Sequence, residues 1–376
     1  MKKLSFIFAM VLAAGTVMAQ NTSTLEQSGD VNNASLTQTG SNSSQIYQET
    51  LLDAKNNNAT VVQDGAGNTQ YSKQHQQAGI TSAQDVNVTQ IGNNNAATQM
   101  QGIGYTGYNN ANIVQNSSFN IGYQYQDGYN LSSAMNQSGG NSNNGSQTQM
   151  GSHLTGNMTQ YGWSNTGIQT QSGMNHTATI ASTGNYDFAS QSQNGGTYNS
   201  PPMYNSGHIA IINQFGGDVN VATQSQIGTE ADNSIITQNG SYNTASQTSV
   251  GSFDNANFLQ QGSSNYASSV QTGDEDKVLV NQYGDSNTAT VIQMTDDENV
   301  VNLTQDGGSR AEIIQDGEDN TLMGLGTDVM ATSLNGSALY LNQTGDENTL
   351  HLQQTNGALA TVNQDGMTNT SVIIQN

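Results

Sequence analysis

Five histidines, His75, His153, His176, His208 and His351, are the side chains best suited to holding a transition metal. None of them pairs at H-x-x-x-H spacing, so turn and strand substitutions explain them more simply. His176 and His208 stand where asparagine stands in other repeats. Carboxylates crowd the last third, as Asp274-Glu275-Asp276, Asp296-Asp297-Glu298, Asp316 to Asp319 and Asp346-Glu347. Together with Asp-Gly pairs such as Asp64-Gly65, Asp127-Gly128, Asp306-Gly307 and Asp316-Gly317 they offer hard oxygen ligands for calcium. The G-G-x-G-x-D nonapeptide of calcium-bound rolls is missing, and Asp-Gly is also ordinary turn chemistry. Both readings stand for the acidic third. There is no cysteine, hence no thiolate ligand, disulfide or thiol nucleophile. Serines are many, but no G-x-S-x-G elbow or triad spacing organises them. The chain is not expected to be an enzyme or to carry a cofactor. The chemistry that remains is that of primary amides, which donate and accept at once.

Those amides recur in a fixed phrase, Q-x-G-x-x-N-x-A-x-x-x-Q, about every eleven residues. It opens at Gln27-Ser28-Gly29 with Asn32, Ala34 and Gln38, and still runs at Gln364-Asp365-Gly366 with Asn369, Ser371, Ile373 and Gln375. Within a unit the marked residues lie two apart, so in an extended strand they share one face. Examples are Asn21-x-Ser23-x-Leu25-x-Gln27, Asn109-x-Ala111-x-Ile113-x-Gln115, Asn265-x-Ala267 closing at Gln271, and Asn287-x-Ala289-x-Val291-x-Gln293. Asn165 and Gln171 frame another. Glycine in the intervening x-Gly-x-x supplies the backbone freedom of a sharp reversal. A unit this short cannot bury its own face and must stack on its neighbours.

The third inward position fixes how many strands make a turn. It reads Gln99, Ile113, Gln124, Met135, Gln147, Met158, Gln169, Ile180, Gln191, Ile212, Gln224, Ile236, Gln247, Phe258, polar and apolar by turns. If alternate strands stack, each of two sheets becomes uniform at this position. The spacing therefore predicts an all-β, two-sheet β-solenoid of about fifteen 22-residue rungs with amyloid-like cross-β stacking. Asn and Gln should form amide ladders along the axis, since an isolated buried amide would cost about 1–3 kcal/mol. Pairs such as Val278/Val280, Val301/Leu303, Leu339/Leu341 and Leu350/Leu352 predict a drier core in the last third. Loops are expected near 50–56, 76–82, 102–108, 194–207 (with Pro201-Pro202) and 323–336. Residues 20–376 read as a single repeat domain.

Composition suits this reading. Of 376 residues only 33% are hydrophobic and 9% charged, which would suggest disorder if the period were absent. A net charge of −22 argues against a nucleic-acid partner. Met1-Lys2-Lys3, the apolar run Leu4 to Ala14 and Val17-Met18-Ala19 have the form of a secretory signal peptide over 1–19. No later segment is apolar enough to span a membrane as a helix, so a secreted chain that reaches the surface by way of the periplasm is expected.

A Gln-x-Gly turn followed by Asn-x-Ala-x-x-x-Gln resembles the repeat of curlins, the subunits of bacterial curli fibres. The resemblance covers nearly all of the chain after residue 19. It implies a β-solenoid subunit that polymerises into extracellular amyloid fibres serving adhesion and biofilm matrix. It also implies a nucleator subunit and an outer-membrane secretion pore as partners. Three features depart from the family pattern. A second glycine before the asparagine is usually replaced, as by Val31 or Ser264. The repeats outnumber those of familiar curli subunits. A strand pattern begins at Asn21, where familiar major subunits carry a non-amyloid segment.

Two functions compete at this point. A fibre subunit would join copies head to tail through Asn21, Ser23, Leu25 and Gln27 at one end and Asn369, Ser371, Ile373 and Gln375 at the other. A monomeric repeat adhesin or ice-binding rod needs polar caps on its terminal strands, for which the sequence shows no room. Its outward triplets, such as Asn33/Ser35/Thr37, are too irregular for a flat threonine array. Tyrosines such as Tyr47, Tyr71, Tyr161 and Tyr283 are surface residues, with a ligand platform as the alternative.

Overall fold

The computed structural model describes residues 20–29, 31–50, 57–76, 83–102, 108–195, 207–228, 231–294, 298–325 and 330–376. The expected signal peptide lies outside them, as do most of the expected loops. Contacts cluster into two compact units, Met1–Asn175 and His176–Asn376. Each unit is a parallel β-solenoid, and no described residue is helical.

Alternate strands stack. In the first unit Gln124 lies over Gln147 and Gln147 over Gln169, while Ile113 lies over Met135 and Met135 over Met158. Consecutive strands fall in different rows, so two strands make one turn. In the second unit one row runs Ile180, Ile212, Ile236, Phe258, Val280, Leu303. The other runs Gln191, Gln224, Gln247, Ser269, Val291, Ile313, Leu341, Val362. The glutamine ladder thus ends at Ser269 and an apolar ladder takes its place, giving the drier core that the valine and leucine pairs predict. Turns average about 23 residues and number about 14 over the two units, against the expected fifteen of 22. The excess is insertion: Val61 to Val88 and Ile180 to Ile212 are stacked partners despite the extra residues between them.

Strands bury every second residue, as the period of two requires: Asn110–Asn116 and Ile209–Phe215 alternate between buried and accessible positions along their length. Two strands, Asn32–Thr50 and Asn57–Gln76, run through the corner without a break and shift register between Ser41 and Ser43. The expected loop over 323–336 is narrower in the structure. Met323 closes strand Thr321–Met323, and Ala331–Leu334 is itself a strand. Both stack on Val300–Asp306, the former on its first residues and the latter on its last, so the insertion leaves from mid-strand and the row resumes behind it.

Small residues at the second inward position set the spacing between rows. Gly145 and Gly167 sit against methionines of the opposite row; a Cβ on Gly145 would lie 2.7 Å from Met135 Sδ and 2.9 Å from Met158 Sδ. A long flexible thioether in one row is matched by a missing side chain in the other.

The corners explain the departure from a glycine-glycine turn. The residue before the inward Asn holds a left-handed backbone: φ is 59° at Val31, 61° at Val219, 60° at Ser264 and 59° at Thr368. For a residue with a Cβ this costs roughly 1–2 kcal/mol. Stacking of successive corners holds it there, as where Ser264 N–H donates to Ser241 O at 3.0 Å.

Candidate functional site

The inward glutamines form ladders of one polarity. Each Nε2 donates to the Oε1 of the glutamine one turn later: Gln38 to Gln63 at 2.7 Å, Gln63 to Gln90 at 2.7 Å, Gln90 to Gln115 at 2.9 Å and Gln115 to Gln137 at 2.9 Å. In the second unit Gln271 donates to Gln293 at 3.2 Å and Gln293 to Gln315 at 2.9 Å. The other amide hydrogen turns to a backbone carbonyl, as from Gln115 Nε2 to Ala96 O at 3.0 Å. Both donors of Gln115 are thereby used without water.

The inward asparagines work at the corners. Asn287 N donates to Asn265 Oδ1 at 3.0 Å, and Asn265 Nδ2 to the turn carbonyl of Gly284 at 2.9 Å. The same pattern joins Asn143 to Asn165 N at 3.0 Å, and Asn109 Oδ1 to Leu131 N at 3.0 Å. Asn109, Ala111, Gln115, Asn165, Gln171, Asn265, Ala267, Gln271, Asn287, Ala289 and Gln293 are all buried. Asn32, Ala34 and Gln38 point inward but are half-buried, because they belong to the end turn of the first unit.

At the chain's two end turns the same inward residues meet solvent. Asn21, Ser23 and Gln27 are exposed and Leu25 is half-buried, while Asn369, Ser371, Ile373 and Gln375 are all half-buried. Among the described residues, Thr22–Ser28 pairs only with the second half of Asn32–Thr50, and Thr370–Gln375 only with Thr349–Gln354. Gln27 already donates to Gln48 at 2.7 Å and Gln375 already accepts from Gln354 at 2.7 Å. The first end therefore offers acceptors and the last end donors. Gln375 Nε2 makes one bond, to Leu359 O at 3.1 Å, and keeps a hydrogen for a further partner.

One corner column of the second unit carries ionisable groups instead of amides. His176, His208, Asp232, Asp254 and Asp276 occupy the inward corner in successive turns and are buried. His208 N donates to His176 Nδ1 at 3.1 Å, Asp232 N to His208 Nδ1 at 3.2 Å, Asp254 N to Asp232 Oδ1 at 3.1 Å and Asp276 N to Asp254 Oδ1 at 3.2 Å. The two imidazoles stack at 4.8 Å. Burial pushes the Asp232 carboxyl up to about 7. Burial, with Asp232 and Asp276 alongside, pushes Asp254 up to about 8. Burial also lowers His208, whose Nδ1 lies 3.3 Å from Asp232 Oδ2. In the other row Asp187 holds a corner. Burial raises it to about 6 against hydrogen bonds from Asn220 and Gly184.

The histidine spacing had already set His176 and His208 in asparagine positions. The aspartates were missed there, although counting back from Ser234-x-Ile236-x-Gln238 and Ala256-x-Phe258-x-Gln260 reaches Asp232 and Asp254. The remaining histidines are dispersed: His75 faces Glu49 at 3.0 Å, His153 edges onto Tyr129 at 5.8 Å, and His351 Nδ1 meets Gly324 O at 2.8 Å. Among the described residues no three His, Asp or Glu side chains are grouped to hold a metal ion. Tyr47 and Tyr71 approach at 5.6 Å on the outer face of stacked strands.

No protein-family model matches the chain, and no curated protein matches it.

Proposed function

We propose that this chain is a secreted structural subunit that joins copies head to tail into extracellular curli-like amyloid fibres, with adhesion and biofilm matrix as their role. The observation that carries the proposal is the polarity of the glutamine ladders, which leaves acceptors at the first end turn and donors at the last. If the alternation of rows continues from one copy to the next, strand Leu359–Asp365 receives Thr22–Ser28 of the next copy. Thr370–Gln375 then receives the start of Asn32–Thr50. Gln364 would donate to Gln27 and Gln375 to Gln38, repeating the interaction found inside each unit. A contact of this kind joins unlike surfaces, does not close on itself and builds a filament. The curlin resemblance supports the same reading and adds a nucleator subunit and an outer-membrane pore as the partners to seek.

The test is growth of purified chain lacking residues 1–19, followed by electron microscopy and by seeded kinetics. Ile373→Asp with Val372→Pro should stop growth, since it places a charge at the joining edge and removes the Val372 N–H, which points to the next turn as Thr349 N–H does. Amide exchange in distant turns should be unchanged. Growth of the parent should quicken with added salt, which screens the −22 charge. Parent protein that stays monomeric at high concentration, or a double variant that grows at the parent's rate, overturns the proposal in favour of a monomeric adhesin.

A further inference from the structure

The buried corner column of the second unit asks for a proton. Where asparagine fills such a corner, Oδ1 accepts the backbone N–H of the next turn and Nδ2 donates to a turn carbonyl. Asn109 reaches Gly128 O at 3.0 Å and Asn348 reaches Gly366 O at 2.9 Å. His176 keeps the same arrangement, its Nε2 lying 3.2 Å from Gly195 O. Asp232 and Asp254 supply the acceptor, each through Oδ1. Their Oδ2 atoms are buried and receive no hydrogen bond. An ionised carboxylate has no donor to place there, whereas a carboxylic acid has one O–H, the counterpart of the asparagine N–H.

The neighbour of Asp232 gives an independent indication. His208 Nδ1 accepts the backbone N–H of Asp232 at 3.2 Å, so this nitrogen carries a lone pair and no proton. Asp232 Oδ2 lies 3.3 Å from that same nitrogen. Two lone pairs would repel at this separation, and a proton on Oδ2 turns the contact into an attraction.

We propose that folding of the second unit takes up protons at Asp232 and Asp254, making this solenoid a pH-sensitive structure that forms readily in mild acid and weakens as its corner column ionises. The charged groups around the column act in the same direction. Asp274, in the turn before Asp276, raises both Asp232 and Asp254, and Asp276 raises Asp254. Glu275, Lys277 and Glu298, the other charged described residues flanking the column, are exposed. His176 and His208 complete its titratable members, and burial disfavours the charged form of His208. Both aspartates have folded values, about 7 and about 8, above the ordinary carboxylate value. Their contribution is thus fully present below the unfolded value and is lost as the pH rises through the folded one. Within that window each pH unit lowers the folding constant about tenfold for each acid.

The experiment is urea unfolding of the full chain from pH 5 to 9, read by hydrogen exchange in peptides of residues 207–294, for the parent and for Asp232→Asn/Asp254→Asn. The parent's midpoint should fall steeply as the pH rises. The amide variant supplies its donor without a proton, so its midpoint should change less and exceed the parent's at pH 9. Parallel curves overturn the proposal. Because the variant could fail to fold for other reasons, the infrared C=O stretch of protonated carboxyls is measured in the folded parent as well. The band should be present at pH 6 and bleach by pH 9, and its absence at pH 6 overturns the proposal regardless of the variant.

Discussion

Replacing Gln260 by leucine should open the second unit locally, although it exchanges a polar side chain for an apolar one of similar size. Gln260 is fully buried. Its Oε1 accepts from Gln238 Nε2 at 2.8 Å, and its Nε2 donates to Gln282 Oε1 at 2.8 Å and to Thr244 O at 3.0 Å. Leucine fills the space but leaves one hydrogen of Gln238 and the oxygen of Gln282 facing hydrocarbon. A buried group that loses its partner costs about 1–3 kcal/mol, so the two together cost about 2–6 kcal/mol. Ile236→Val, next to it in the stacked strand and equally buried, removes one methyl group and should cost about 0.5–1.5 kcal/mol.

Native-state hydrogen exchange on peptides covering 233–282 reads the local opening free energy directly, which suits a repeat protein whose turns need not unfold together. Gln260→Leu should lose more protection than Ile236→Val. The pair Gln238→Leu/Gln260→Leu should cost less than the sum of its members, because their mutual bond is removed only once. If Gln260→Leu keeps the parent's protection, the ladder is not what holds the turns and the reasoning fails.

Three other outcomes follow from the geometry. Val219→Gly and Thr368→Gly relieve left-handed backbone at φ 61° and 59°, and each should raise the unfolding free energy in a urea titration by up to ~1 kcal/mol after the entropy of the added glycine. Gly145→Ala drives a Cβ to 2.7 Å from Met135 Sδ and should lower the first unit's stability by about 1–3 kcal/mol in the same titration. Asp187→Asn should be destabilising by about 1–3 kcal/mol at pH 8, opposite in sign to Asp254→Asn. Both Asp187 oxygens accept, Oδ1 from Asn220 N at 2.9 Å and Oδ2 from Gly184 N at 3.1 Å, so an amide nitrogen must face one of these donors.

The rows and their register were legible because every inward residue obeys two rules at once, a step of two along the strand and a step of one turn along the stack. Gln147 could be assigned to Gln124 and Met158 to Met135 from letters alone, since polar and apolar alternate without exception through that stretch. The corners were less legible. Val219 and Thr368 have no propensity for left-handed backbone, and only the neighbouring turns impose it. Asp232 and Asp254 were hidden by charge, which reads as surface in a chain whose other carboxylates mostly lie in exposed turns. The insertion behind Met323 was hidden by length, because a row can be left and re-entered within one strand's span. Local letters do not say where the chain comes back.

A core made of amides behaves differently from one made of leucines when it reaches an end. An apolar face can be covered by any apolar partner, whereas a glutamine ladder is completed only by another amide in the same register and with the same polarity. Gln375 retains a donor and Gln38 donates to Gln63 at 2.7 Å while its own oxygen faces the open end. The selectivity that keeps each turn aligned with the next would therefore also select which surface can join the last turn, and a second copy of this chain carries it. On this view the interior of a unit and the junction proposed between copies are one interaction, differing only in whether a peptide bond connects the partners. Weakening an interior rung and weakening an end rung should then have comparable local costs. Only the second should stop a fibre.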